Sequence, residues 1–94
     1  MSVVTTERFE VPPAAVPARR TPSFTAESMP PALGRSHLTS VWAELVVEEG
    51  SVQFTDEASR NVNVTAGQRT PIPPDIHHHI KPAQDAVFHI QFYR

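Results

Sequence analysis

Apolar and polar positions alternate in short runs along the second two thirds of the chain. From Val41 to Glu48, Val41, Ala43, Leu45 and Val47 fall on one side, and Trp42, Glu44, Val46 and Glu48 on the other. A period of two is the signature of a strand with one buried face. Glu49-Gly50 predicts a tight turn, Val52 and Phe54 alternate in the next strand, and Asp56 to Arg60 reads as a polar loop. Val62 and Val64 mark a further strand, Ala66-Gly67 turns the chain again, and Ile76 to Phe92 predicts a hairpin turning near Ala83 and Gln84. Short, evenly spaced strands without helical periodicity predict an all-β barrel or sandwich.

The first third is different. Met1 to Pro31 holds six of the ten prolines, at positions 12, 13, 17, 22, 30 and 31. Each removes a backbone donor and fixes φ, which excludes a regular helix or a central strand. The expected organisation is an extended, proline-rich arm over residues 1–31 followed by a β-barrel over residues 32–94.

Composition narrows the chemistry. A chain of 94 residues makes one small domain with a marginal core. The absence of cysteine excludes disulfides, iron–sulfur clusters and thiolate zinc sites, so any metal must be held by imidazole, carboxylate or amide oxygen. Eight basic side chains against ten acidic ones give a formal charge of −2 with no basic stripe, so nucleic acid is not an expected partner. No run approaches the roughly 20 apolar residues of a membrane span, and the N-terminus lacks a signal-peptide pattern, so the expected location is cytoplasmic, without a membrane partner.

Histidine carries the candidate chemistry. His77, His78 and His79 are consecutive, and His89 follows in the last strand-like run. A hairpin turning near Ala83 and Gln84 would place His78 opposite His89, with Cβ atoms about 4.5–5.5 Å apart. Alternation then puts His78 on a face with Ile76, Ile80, Val87, His89 and Gln91, while His77 and His79 share the other face with Phe88, Ile90 and Phe92. His78 and His89 read either as ligands of one metal ion or as a cross-strand polar pair. His77 and His79 read as surface residues.

From Gly67 onward the chain resembles the second motif of a single-domain cupin, in which a glycine, five residues, a proline and a short turn lead to a metal-binding histidine. Here these are Gly67, Pro73, Pro74-Asp75 and His78. Of the first cupin motif, Gly50 matches the closing glycine, Ala43 stands where a glutamate should be, and His37 lies near the histidine pair. Over roughly residues 19–94 the chain is similar to the small tellurite-resistance-protein-like cupins, through Arg20-Thr21-Pro22-Ser23-Phe24-Thr25, Pro31 to His37, Val41-Trp42, Leu45, Glu49-Gly50 and Phe88 to Arg94. The resemblance implies a jelly-roll barrel, or double-stranded β-helix, with histidines at positions 37 and 78 in its pocket. At position 89 these proteins more often have an amide, and at position 91 an acid, where this chain has His89 and Gln91.

The metal expectation is therefore a divalent transition ion, iron, zinc or nickel, on His37, His78 and His89, with Gln91 as a weak oxygen donor or water holder. Three ligands leave open positions, which suits oxygenase-like chemistry on a small oxygen-donor substrate. The alternative is a binding or stress-response module for a metal, oxyanion or small metabolite. Arg35 is a candidate for an anionic substrate at the pocket mouth or a solvated strand-end charge. Trp42 is a candidate substrate-stacking surface, although Trp42 and Phe54 also read as barrel packing. No nucleophile with a base at usable spacing and no glycine-rich phosphate loop are present. Phe88, Ile90 and Phe92 form an apolar row that predicts a homodimer packed on that face, unless the N-terminal arm covers it with Phe24.

Overall fold

The alternating runs fold as strands β3 (Ala43–Glu49), β4 (Ser51–Asp56), β5 (Asn61–Thr65), β6 (Arg69–Ile72), β7 (His78–Pro82) and β8 (Val87–Tyr93). Two short strands precede them, β1 (Pro17–Arg20) and β2 (Phe24–Thr25), with one 3-10 turn at Pro31–Gly34. The computed structural model describes residues 10–94, among which there is no α-helix. Among the described residues no helix is long and apolar enough to cross a membrane.

Two antiparallel sheets share the strands. One has the order β1-β8-β3-β6, with β2 also on β8, and the other has the order β5-β4-β7. β3 and β4 therefore lie in different sheets, as do β5 and β6, and β7 and β8. Each pair is one long ribbon that bends from sheet to sheet. Glu49-Gly50 and the Ala83-Gln84 region, predicted as hairpin turns, are corners between the sheets. Alternation fixes which face of a strand is buried but does not say which strand lies beside it.

The corners abut. Ala66 N–H donates to Gly50 O at 3.0 Å, Gly67 N–H to Val47 O at 2.9 Å, and Ala83 N–H to Ser51 O at 2.9 Å. Gly50 has φ +67°, and a Cβ there would lie 2.8 Å from Asp85 Oδ1 and 2.9 Å from Ala86 Cα. Glycine is required at this point for its backbone conformation and for the missing side chain. Gly67, at φ +83°, faces open space.

The inner faces supply the core, in which Ala43, Leu45, Val47, Val52, Phe54, Ile72, Phe88 and Ile90 are all buried. The predicted apolar row of β8 thus faces inward, and Phe24 packs on Phe88 with ring centroids 6.0 Å apart. That row is covered within the chain, which removes the premise on which the homodimer was predicted. Inside the expected arm, β1 and β2 are hydrogen-bonded to β8 and extend its sheet.

Gly50→Ala combines left-handed strain, about 1–2 kcal/mol, with overpacking of about 1–3 kcal/mol, while Gly67→Ala meets the strain alone. Urea midpoints should therefore fall more in Gly50→Ala than in Gly67→Ala, by at least about 1 kcal/mol. Equal losses would contradict the packed corner.

Candidate functional site

The site begins with a two-residue bridge. His37 and His78 exchange backbone hydrogen bonds, His37 N–H to His78 O at 2.9 Å and His78 N–H to His37 O at 2.8 Å. Direct opposition brings their side chains together. The imidazole centroids are 4.3 Å apart with an interplanar angle of 61°. His78 also stacks on Phe54, at 5.6 Å and 20°. The part-buried Asp56–Arg60 pair, at 2.8 Å, closes the β4–β5 loop, and the Arg60 guanidinium lies 4.8 Å from the Phe54 centroid.

Each imidazole is tethered by the same local device. His37 Nδ1 lies 2.8 Å from Arg35 O and His78 Nδ1 lies 3.2 Å from Ile76 O, in both cases the carbonyl two residues back. A carbonyl can only accept, so both Nδ1 atoms carry the proton. Both Nε2 atoms are left without a partner among the described residues. Burial holds the His78 pKa below its ordinary value, with the neighbouring His37 acting in the same direction.

The rings border a cavity of about 190 Å³ between the sheets, away from the glycine corners. Ile72 and Phe92 pair with Ala43 at the start of β3, and His78 pairs with Asp56 at the end of β4. Six apolar side chains, Phe24, Leu33, Ile72, Ile80, Ile90 and Phe92, make up most of the wall. Thr21 and Thr39 also reach it, but their hydroxyls donate to Pro22 O and Val41 O at 2.9 Å. The two imidazoles are the uncommitted polar groups of the cavity.

The remaining predicted site residues lie elsewhere. His89 pairs with Val46 on β3, and alternation puts it on the outer face of the sheet, because its neighbours Phe88 and Ile90 point inward. The expected three-histidine cluster is thus not assembled: β7 and β8 join through a corner, so His78 and His89 belong to different sheets. Among the described residues, no three His, Cys, Asp or Glu side chains gather closely enough to hold an ion. Two imidazoles fall short of the three or four protein donors of a resident transition-metal site. Gln91 is also outside, its Nε2 donating to Arg19 O and Phe92 O at 3.0 Å. Arg35 is exposed and contributes its carbonyl to His37. Trp42 borders a separate depression with Val41 and Tyr93. His77 and His79 are exposed, as alternation predicts, and His77 pairs with Glu57 at 3.4 Å.

Glu48 joins three elements on the outer face. Its Oε2 accepts from Ser23 Oγ at 2.6 Å and from His89 Nδ1 at 2.8 Å, and lies 3.9 Å from Arg20. The Ser23 and His89 hydrogen bonds hold its carboxyl below the usual range. The latch ties residues 20–24 to β3 and β8, so the segment that carries Thr21 and Phe24 against the cavity is fastened from outside. Sequence separations of 25 and 41 residues gave no signal of it.

Two acid transitions follow from these pKa directions. The unfolded chain protonates position 78 near its model value of 6.5 while the native chain resists, so stability should fall as pH drops below 6.5 and level off below the lowered native value. Glu48 stabilises the fold above its model value of 4.5, and its contribution should vanish as pH falls through the lowered native value. In denaturation curves against pH, His78→Phe should flatten the first fall and leave the second. An unchanged first fall would show that another group carries it.

Residues 19–90 match the TehB-like domain family. No curated protein sequence matches the chain. Among solved structures, a protein from Escherichia coli K12 superposes with a TM-score of 0.84 at 24% identity, covering 92% of this chain and 88% of that one. TehB from Haemophilus influenzae gives 0.75 at 19% identity, over 84% of this chain but 31% of its own length. An RmlC-like cupin with a double-stranded β-helix fold from Methanocaldococcus jannaschii gives 0.54 at 14% identity, over 98% and 90% of the two chains. At these identities the likeness is one of fold.

Proposed function

This chain belongs to the TehB-like domain family, and we propose that it is a cupin-type binding module whose His37–His78 cavity takes up a small, largely apolar molecule. The observation that carries this reading is the pairing of an apolar wall with two imidazole acceptors that have no partner among the described residues. Small-ligand sites combine an apolar lining with a few placed polar groups in this way. An oxyanion suits the cavity less well, because no arginine or lysine lines it and burial keeps His78 neutral. An iron-dependent oxygenase would need a fuller donor set than two imidazoles.

A second reading is favoured by the tethered Nδ1 atoms. Backbone carbonyls that fix Nδ1–H are the usual outer contacts of metal-ligating histidines. An exchangeable divalent transition ion could sit on the two Nε2 atoms, with water or the bound molecule supplying its other ligands.

A thermal-shift screen of small molecules and of zinc, nickel and anaerobic iron(II), on protein without a histidine tag, separates the two. A cavity ligand at a hundredfold excess over its Kd should add about 2.7 kcal/mol of stability. That response should disappear in Leu33→Trp, whose larger side chain enters the cavity, and persist in His89→Ala. Metal binding at one ion per chain, lost in both His37→Ala and His78→Ala, would establish the second reading. A small-molecule response lost in His89→Ala but kept in Leu33→Trp would move the function to the outer face.

A further inference from the structure

The cavity specifies more than smallness. We infer that it takes a neutral, single-ring molecule carrying a hydroxyl donor, the chemistry of a phenol, with the hydroxyl donating to Nε2 of His78. The inference rests on the proposed binding function and names the ligand class for that site.

Size sets the first limit. An apolar cavity of about 150 Å³ accommodates benzene, and this one measures about 190 Å³. One six-membered ring with a few further heavy atoms fits.

Charge sets the second limit. No Asp, Glu, Lys or Arg lines the cavity. A carboxylate or ammonium would lose its hydration there without gaining an ionic partner, at a cost well above that of a neutral polar group.

Hydrogen-bond polarity sets the third. The Nδ1 protons of His37 and His78 are committed to backbone carbonyls, so the Nε2 of a neutral His78 ring offers an acceptor and no free donor. His78, only 3% exposed, is the more enclosed of the two, while His37 is partly exposed. The ligand must therefore bring an O–H or N–H donor to the enclosed end, and its apolar body meets Ile72, Ile80 and Ile90. A ligand that presents only acceptor lone pairs leaves that nitrogen unsatisfied.

Three of the chain's four isoleucines line the cavity, and Ile76 does not, which supplies an internal reference. Methyl NMR of isoleucine-labelled protein is titrated at pH 7.5 with phenol, toluene and benzoate. Phenol should shift the methyls of Ile72, Ile80 and Ile90 and leave Ile76 in place. It should bind about tenfold more tightly than toluene, the ratio expected for one hydrogen bond, and benzoate should move none of the four. In His78→Leu the ratio of phenol to toluene affinity should fall to about one. Toluene equal to phenol in the unmodified chain, or benzoate tighter than phenol, overturns the hydroxyl class while leaving the cavity a binding site. Unmoved cavity methyls with all three compounds overturn both the class and the binding reading. The comparison in the unmodified chain decides the question even if the variant does not fold.

Discussion

The close approach of Gly50 to Asp85 and Ala86 is the constraint on which the remaining arrangement depends. A hypothetical Cβ at position 50 would lie within 2.9 Å of three atoms of the β7–β8 corner. With that space empty, the three bent ribbons can cross from sheet to sheet side by side. The crossing places β7 beside β4 and β8 beside β3. His78 consequently stacks on Phe54 at the inner face of one sheet, and Ile90 and Phe92 close the cavity from the other.

The same topology divides the titratable groups into two sets. Inside, two imidazoles have their Nδ1 atoms tethered to carbonyls and their Nε2 atoms without a partner among the described residues, and burial of His78 favours its neutral form. Outside, Glu48 collects Ser23, His89 and Arg20, and a second cluster joins Glu44 to Tyr93 and Arg69. The outer groups are hydrogen-bonded to one another across strands, so they serve as fasteners between strands and the N-terminal segment. The three-ligand expectation grouped His37 and His78 of the inner set with His89 of the outer, although the sheet itself separates them.

Much of the fold was legible. The positions of β3, β4, β5, β7 and β8, the inward direction of His78 and the outward direction of His77 and His79 follow from period-two alternation, and the structure agrees. The pocket histidines at 37 and 78 came from motif resemblance, and their rings do meet. Partnership between strands was not legible. A hairpin and a sheet-to-sheet corner have similar turn residues, and the difference lies in contacts such as Gly50 against Ala86, which are remote in sequence. Reading the β7–β8 corner as a hairpin put His89 opposite His78 and turned the row of Phe88, Ile90 and Phe92 outward, so both errors have one cause. The Glu48 latch was hidden for a related reason, since alternation places Glu48 on the outer face but its partners Ser23 and His89 lie 25 and 41 residues away in sequence.

The central claim is that His78 is neutral at physiological pH, protonated at Nδ1, and offers its Nε2 as an acceptor in the apolar cavity that it lines together with His37. Long-range proton–nitrogen correlation spectra of histidine-labelled protein at pH 7.5 report the tautomer of each ring directly. The account predicts unprotonated Nε2 and protonated Nδ1 for His78, with these signals disappearing in His78→Phe. An Nε2-protonated tautomer or a charged imidazolium at His78 would contradict it, because the cavity would then offer a donor where an acceptor is required.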